Sequence, residues 1–146
     1  MLYLDTAVVL TLFIDEPTSR PVEDWLAARR QPLAFSDWGL TECASALALK
    51  QRRDGMDVAL ARRCFATIAD FVHESCDLIA CAPHHQTEAQ RLLSRFDLPL
   101  RAGDALHLAI SQHADATLVT YDRLLAVSAK VLGAKVRNPL ARSVKP

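Results

Sequence analysis

Four acidic residues stand at the ends of short apolar runs or at the starts of the amphipathic stretches that follow them. Asp5 closes the first run in YLDT and Asp122 closes LVTYD, whereas Asp104 starts the stretch DALHLA. Glu42 falls in the first turns of the stretch that follows LAF. If the apolar runs are strands of an open α/β sheet, ligands bind beyond their carboxyl ends. All four acids therefore occupy positions at which chemistry is expected.

Carboxylates that converge from distant parts of a chain repel one another, by roughly 4 kcal/mol for unit charges ~4 Å apart in a partly buried site. A bound cation or protonation makes such an arrangement tolerable. Oxygen ligands without clustered histidines or thiolates favour Mg²⁺ or Mn²⁺, and such sites commonly hydrolyse phosphodiester bonds. Each acid could instead only cap its own helix. The joint placement of the four favours a catalytic metal site.

The elements that must position these acids alternate along the chain. Short buried strands are predicted at residues 1–4, 33–35, 78–81 and 117–120, with a fifth at 135–137. Helices are predicted at residues 19–30, 38–53, 58–74, 84–96, 102–113 and 123–132. The order βαα-βαα-βαα-βα-β predicts an α/β fold, with a central, mostly parallel sheet of four to five strands flanked by helices.

Length and composition favour one globular domain over residues 1–146, because 51% of the residues are hydrophobic. Residues 139–146 are expected to form a flexible basic tail. The opening run MLYL lacks a basic flank and is broken by Asp5, so we expect no secretory signal. No apolar run approaches the ~18 residues of a membrane span, and a cytoplasmic protein with reduced thiols is predicted.

The net charge is zero, but the basic residues are unevenly placed. After Asp122 the chain contains no acid, whereas six basic residues follow: Arg123, Lys130, Lys135, Arg137, Arg142 and Lys145. Such a segment could run beside a phosphate backbone or be a solvated tail, and the sequence leaves both interpretations open.

The segments that carry the acids resemble the PIN-domain family, and within it the VapC-type toxins of bacterial toxin–antitoxin pairs. The matching pieces are YLDTAVVLTLFIDEP, LTE around Glu42, LRAGDALHLA around Asp104 and LVTYDRLL around Asp122, in that order along nearly the whole chain. The resemblance implies an endoribonuclease that uses Mg²⁺ or Mn²⁺ and leaves 5′-phosphate and 3′-hydroxyl ends. It also implies inhibition by a cognate VapB-like antitoxin and a homodimeric state.

By position, the resemblance makes Asp5, Glu42 and Asp104 the core metal-site acids. Asp122 is the fourth, either as a ligand or through water. Three residues have possible supporting roles, namely Thr6, Thr120 and Arg101. Thr6 could instead cap the helix that follows it, and Arg101 could contact a substrate phosphate, pair with a site carboxylate or form a surface salt bridge. Asp37 is interpreted as a helix cap.

Other residues with reactive side chains are given structural roles. Cys76, Cys81, His84 and His85 lie close together, but adjacent histidines rarely share one ion and Cys81 is expected inside a buried strand, so zinc is disfavoured. His107 could approach the site from the helix of Asp104, although a packed helix histidine is the favoured interpretation. Apolar excess at residues 38–49 and 58–72 indicates a dimer or antitoxin surface, or deep burial.

Three alternative functions remain beside the toxin ribonuclease. A housekeeping PIN-type RNA-processing nuclease would lack an antitoxin reading frame beside its gene. A catalytically silent RNA-binding or scaffold protein would have lost acids, yet all four are present. A phospho-acceptor signalling domain would need an acid at the end of the third strand, where LIACAP offers none.

Overall fold

A computed structural model of the chain describes residues 1–141, which form one five-stranded sheet and seven helices. The strands are β1 (Leu2–Leu4), β2 (Leu33–Ser36), β3 (Cys76–Ile79), β4 (Thr117–Val119) and β5 (Val136–Arg137). The helices are α1 (Thr6–Thr11), α2 (Ser19–Ala27), α3 (Asp37–Asp54), α4 (Val58–Ser75), α5 (Pro83–Leu93), α6 (Ala102–His113) and α7 (Arg123–Val131).

All strand pairs are parallel, and the strand order is β3-β2-β1-β4-β5. From β1 the chain builds outward through β2 to β3, then crosses back to place β4 on the other side of β1. The strand order thus reverses beside β1, and ligands of open α/β sheets bind at such a reversal. The carboxyl ends of β2, β1 and β4 lie side by side at this edge.

Alternate residues of each strand point to opposite faces of the sheet, and both faces are covered. Leu2 and Leu4 pack with buried residues of α1 to α4, whereas Tyr3 packs with buried residues of α5, α6 and α7. In β2, Phe35 joins the first layer and Ala34 the second. A parallel sheet buried between two helical layers explains why its strands read as continuous apolar runs.

The predicted fold class and the predicted element order are both confirmed. The predicted third strand was placed two residues too late, because α4 continues to Ser75 and β3 begins at the next residue. The apolar run LIAC therefore starts in an edge strand and ends in a loop, where Cys81 is half-buried rather than inside a strand. Most of the predicted basic tail, residues 142–146, lies outside the described residues.

Part of the apolar excess on α3 and α4 stays uncovered. Leu49, Val58 and Leu60 are each 40% or more exposed, and an open groove lined by Leu47, Phe65 and neighbouring small residues lies between the two helices. Deep burial in the monomer therefore accounts for only part of this apolar surface. Within residues 1–141, no helix combines the length and hydrophobicity that crossing a membrane requires.

Candidate active site

One part of the site lies where β1 and β4 end side by side. Asp5 follows β1 and is almost fully buried. The buried hydroxyl of Thr120, just after β4, donates a hydrogen bond to Asp5 Oδ2 at 2.7 Å and accepts one from the Asp122 backbone N–H at 3.0 Å. Thr120 therefore ties together two acids that are far apart in sequence and orients the Asp5 carboxylate.

A second part of the site lies above β2, where α3 presents the half-buried Glu42. Glu42 Oε2 accepts hydrogen bonds from Thr6 Oγ1 and His107 Nε2, each at 2.6 Å. A carboxylate only accepts, so His107 Nε2 must carry a proton. Thr6 Oγ1 lies 3.0 Å from the same ring nitrogen. Glu42 is thus held in one orientation from two sides.

His107 connects these acids to the interior of the sheet. Its side chain is buried, and Nδ1 lies 2.8 Å from the hydroxyl of Tyr3, which in turn lies 2.8 Å from Ser36 Oγ. Ser36 also caps α3 by accepting the Gly39 N–H at 3.0 Å. His107 Nε2 lies 3.9 Å from Asp5 Oδ1. One imidazole therefore contacts Glu42, faces Asp5 and is anchored by a buried chain of hydroxyl groups.

The pKa values of the site residues show that the acids and the histidine interact. Burial raises the pKa of Asp104, and the charges of Asp122 and Asp5 raise it further. Burial alone would raise the pKa of Glu42, but the hydrogen bond and charge of His107, with the Thr6 hydroxyl, lower it below its ordinary value. Burial opposes the charged form of His107, yet its bond to Glu42 and the charge of Asp5 raise its pKa. The hydrogen bond to Glu42 and the charge of Asp5 therefore favour the charged form of His107.

Asp104 is the third residue of α6 and is half-buried. Its Oδ2 accepts a hydrogen bond from the Arg101 backbone N–H at 3.4 Å, a long contact that contributes little to capping. The Arg101 side chain is exposed, and none of the ion pairs formed by the described residues includes it. Among residues 1–141, Arg101 therefore forms neither the surface salt bridge nor the pair with a site carboxylate that the sequence left open.

Helix capping, the alternative role for the acids, holds for Asp122 but not for Asp5. Asp122 is a true cap, because its Oδ1 accepts the N–H groups of Leu124 and Leu125 at 2.7 and 2.9 Å. Asp5 precedes α1 but makes no capping hydrogen bond with its side chain, and Thr6 binds Glu42 instead of capping that helix. Helix capping therefore accounts for Asp122 but not for the buried carboxylate of Asp5.

The interpretation of Asp37 as the cap of α3 is wrong. Ser36 is the capping residue of that helix. Asp37 Oδ1 instead accepts the backbone N–H groups of Trp38 and Cys81, each at 2.7 Å. Asp37 thereby joins the start of α3 to the segment that follows β3.

Among residues 1–141, no three of the four acids place their ligand atoms within 4.8 Å of one another. Three histidines meet that criterion instead, namely His84, His85 and His113.

The sequence analysis interpreted His107 as a packing residue and did not single out Tyr3. The spacing of His107, one helical turn after Asp104, was the available signal, since residues three apart share a helix face.

Comparisons with known proteins agree with the observed fold. The model of the PIN domain family matches residues 2–131. No curated protein sequence matches the chain. Among solved structures, VapC20 of Mycobacterium tuberculosis, described as a sarcin–ricin loop cleaving toxin, superposes with a TM-score of 0.71 at 16% identity, covering 88% of this chain and 95% of that one.

Two further solved structures have the same fold. FitAcB from Neisseria gonorrhoeae gives a TM-score of 0.70 at 17% identity, with 95% of this chain and 98% of that chain covered. DNA-bound VapBC from Salmonella typhimurium gives 0.70 at 13% identity, with 94% and 97% covered. At these identities the three structures establish a shared fold.

Proposed function

Because this chain belongs to the PIN domain family, we propose that it is a metal-dependent endoribonuclease of the cytoplasm and the toxin of a toxin–antitoxin pair. One observation carries the proposal. Acids from four separate segments interact at the edge where the strand order reverses: Asp5 and Asp122 raise the pKa of Asp104, and His107 links Asp5 to Glu42. Helix capping explains the position of Asp122 but not the approach of Asp5, Glu42 and Asp104 to the same edge.

The chemistry of the donor set fits a hard divalent cation, and PIN domains generally use divalent metal ions. The hydrogen bond to Asp5 goes to Oδ2, while Oδ1 faces His107 at the longer distance of 3.9 Å. Asp104 accepts a single long hydrogen bond within the described part of the chain, and the negative charges of Asp122 and Asp5 destabilise its ionised form. Both carboxylates therefore have oxygen atoms available for Mg²⁺ or Mn²⁺.

The four acids have different roles in this proposal. Asp5 and Asp104 hold the ion, while Glu42, fixed by Thr6 and His107, offers its second oxygen from α3. Asp122 is anchored to the start of α7 and acts through its free oxygen or through water. When bound, a divalent ion lowers the pKa of a water molecule and stabilises charge on a phosphodiester. Rigid anchoring of the carboxylates would hold such an ion in one position.

RNA is the proposed substrate, and the exposed Arg101 beside Asp104 is a candidate contact for its phosphates. VapC20, which shares the fold, is described as a toxin that cleaves the sarcin–ricin loop. VapBC proteins of Salmonella typhimurium and Rickettsia felis, also similar in fold, were solved bound to DNA. We extend RNA cleavage to this chain, and we propose an antitoxin and a second copy of the chain as its protein partners.

Cleavage of RNA by the purified full chain with Mn²⁺ or Mg²⁺ tests the catalytic assignment. Asp5→Asn and Asp104→Asn each remove one charge, and we expect cleavage to fall about 100-fold or more, as loss of a positioning group does. Asp70→Asn is the matched control, because Asp70 is exposed on α4, outside the acidic cluster. If both site variants cleave as fast as Asp70→Asn, the acids are not catalytic.

A growth assay separates the toxin from a housekeeping nuclease. Expression of the parent chain should arrest growth, and expression together with a small reading frame encoded beside its gene should restore it. The Asp5→Asn variant should be harmless without that partner. Arrest by both forms, or no rescue by the neighbouring reading frame, would contradict the toxin assignment while leaving the nuclease assignment to the cleavage assay.

A further inference from the structure

We propose that His84, His85 and His113 form a second metal site, which binds a first-row transition-metal ion such as Zn²⁺. Their ligand atoms all lie within 4.8 Å of one another. The Nε2 atoms of His84 and His85 are 3.0 Å apart. Zn²⁺ binds imidazole nitrogen at about 2.0–2.1 Å, so two ligands of a tetrahedral ion lie roughly 3.3 Å apart. The observed spacing needs little adjustment to accept an ion.

The site is built where two packed helices meet. His84 and His85 lie in the first turn of α5, and His113 is the last residue of α6. The ring centroid of His84 is 4.0 Å from that of His85 and 4.3 Å from that of His113. The three rings line an open cleft together with Glu88, Ala109 and Gln112. His84 and His113 are exposed and His85 is buried, so an ion can enter from solvent and meet a ligand fixed by packing.

The environment of His85 is compatible with metal binding. Burial, with the neighbouring His84 and His113, lowers the pKa of His85, while Asp37 opposes this effect. His85 is therefore neutral near pH 7, and neutral imidazole is the form that binds metals.

The Nδ1 atom of His85 accepts the Ala82 N–H at 3.0 Å, which places the single ring proton of the neutral form on Nε2, facing His84. An ion would take the place of that proton. The proton would move to Nδ1 through solvent, and Nδ1 would then no longer accept the Ala82 N–H. No net proton is released in this exchange. His84 and His113 are thus the anchoring ligands, and His85 completes the set.

The donor chemistry separates this site from the acidic cluster. Three imidazoles favour Zn²⁺, Cu²⁺, Ni²⁺ or Co²⁺, whereas carboxylates favour Mg²⁺ or Mn²⁺. His113 lies roughly 14 Å from Asp104 along α6, at 1.5 Å per residue. Glu88 is held through both oxygens by Arg91, at 2.8 and 2.6 Å, so we assign the remaining coordination position to water. A bound ion would join the start of α5 to the end of the helix that carries Asp104.

The sequence pattern pointed to a different ligand set around the same two histidines. Cys76 and Cys81 lie nearby in sequence but are not members of the group whose ligand atoms converge. His113, at the far end of α6, takes their place. The adjacent rings of His84 and His85 lie close together in the first turn of α5, and the third ring reaches them from another helix.

Titration of the full chain with Co²⁺, followed by visible absorption, tests the site in an Asp104→Asn background that weakens the acidic site. We expect one nitrogen-ligated Co²⁺ per chain. His84→Gln and His113→Gln change exposed side chains and should each weaken binding about tenfold or more, since even the loss of an outer-shell partner costs that much. His73→Gln, an exposed histidine of α4, is the matched control. Zn²⁺ should raise the Tm of the control and not that of His113→Gln.

Three results would overturn the proposal. The first is equal Co²⁺ affinity in His113→Gln and His73→Gln. The second is a thiolate-to-cobalt absorption band, which would assign the ion to a cysteine. The third is the absence of Co²⁺ and Zn²⁺ binding in the Asp104→Asn chain. None of these outcomes bears on RNA cleavage, so failure of this site and failure of the nuclease assignment are distinguishable.

Discussion

The buried hydroxyl of Tyr3 offers a direct measure of how strongly the site depends on the interior of the sheet. Tyr3 is fully buried, and its hydroxyl lies between His107 Nδ1 and Ser36 Oγ, at 2.8 Å from each. The substitution Tyr3→Phe keeps the ring and removes only the oxygen. We expect it to destabilise the protein while leaving every acid of the site in place.

The magnitude follows from which atoms lose a partner. Ser36 Oγ still accepts the Gly39 N–H, so it loses only one of its two hydrogen-bond partners. His107 Nδ1 has no second hydrogen-bond partner among the described residues, and water cannot reach a side chain that is 1% exposed. A buried polar group left without a partner costs about 1–3 kcal/mol of unfolding free energy. For a chain of this length that corresponds to a fall in Tm of roughly 3–12 °C.

Urea and thermal unfolding in EDTA, followed by circular dichroism, measure this cost without bound metal. Tyr121→Phe is the matched control, because the half-buried Tyr121 donates to the Ala7 carbonyl at 3.0 Å, where water can replace it. The control should lose about 1 kcal/mol or less. If Tyr3→Phe is no less stable than Tyr121→Phe, the buried chain from Ser36 to His107 does not stabilise the site.

Three further predictions concern the site and the core. A Cβ added at Gly103 would overlap Glu42 Oε1 and displace the carboxylate that Thr6 and His107 hold, so Gly103→Ala should slow RNA cleavage by up to about 100-fold. A normal rate would show that Glu42 is not positioned for catalysis. Asp122→Ala should cost about 1 kcal/mol in urea unfolding and Asp122→Asn almost nothing, since Asn also caps helices. Both Asp122 variants should cleave RNA slowly. Asp57→Ala removes the cap of α4, so it should lower stability but leave the rate of RNA cleavage unchanged. Burial raises the pKa of Cys43 to about 12, so at pH 8 iodoacetamide should label it only after unfolding, as peptide mass mapping would show. The buried, neutral thiol of Cys43 contributes fully to stability below pH 9.0, and this contribution is lost as the pH rises toward 12.

Much of the fold could be predicted because strands and helices differ in local hydrophobic period. The limits of α6, Ala102–His113, are the same in the sequence prediction and in the structure. The position of β3 could not be predicted, because an edge strand shows only a weak burial pattern and α4 runs into it without a loop. Apolar character alone placed that strand too late.

By itself, the sequence determined where the acids stand, because Asp5, Asp104 and Asp122 follow or begin elements that a short window of residues identifies. Only the tertiary structure decided which side chains surround them. His107 meets Tyr3 across 104 positions of the chain and Glu42 across 65, and His113 reaches His84 from another helix. Such contacts depend on strand order and on how helices pack across the sheet. Both are set by long-range packing, which leaves no periodic signal in any local stretch of residues.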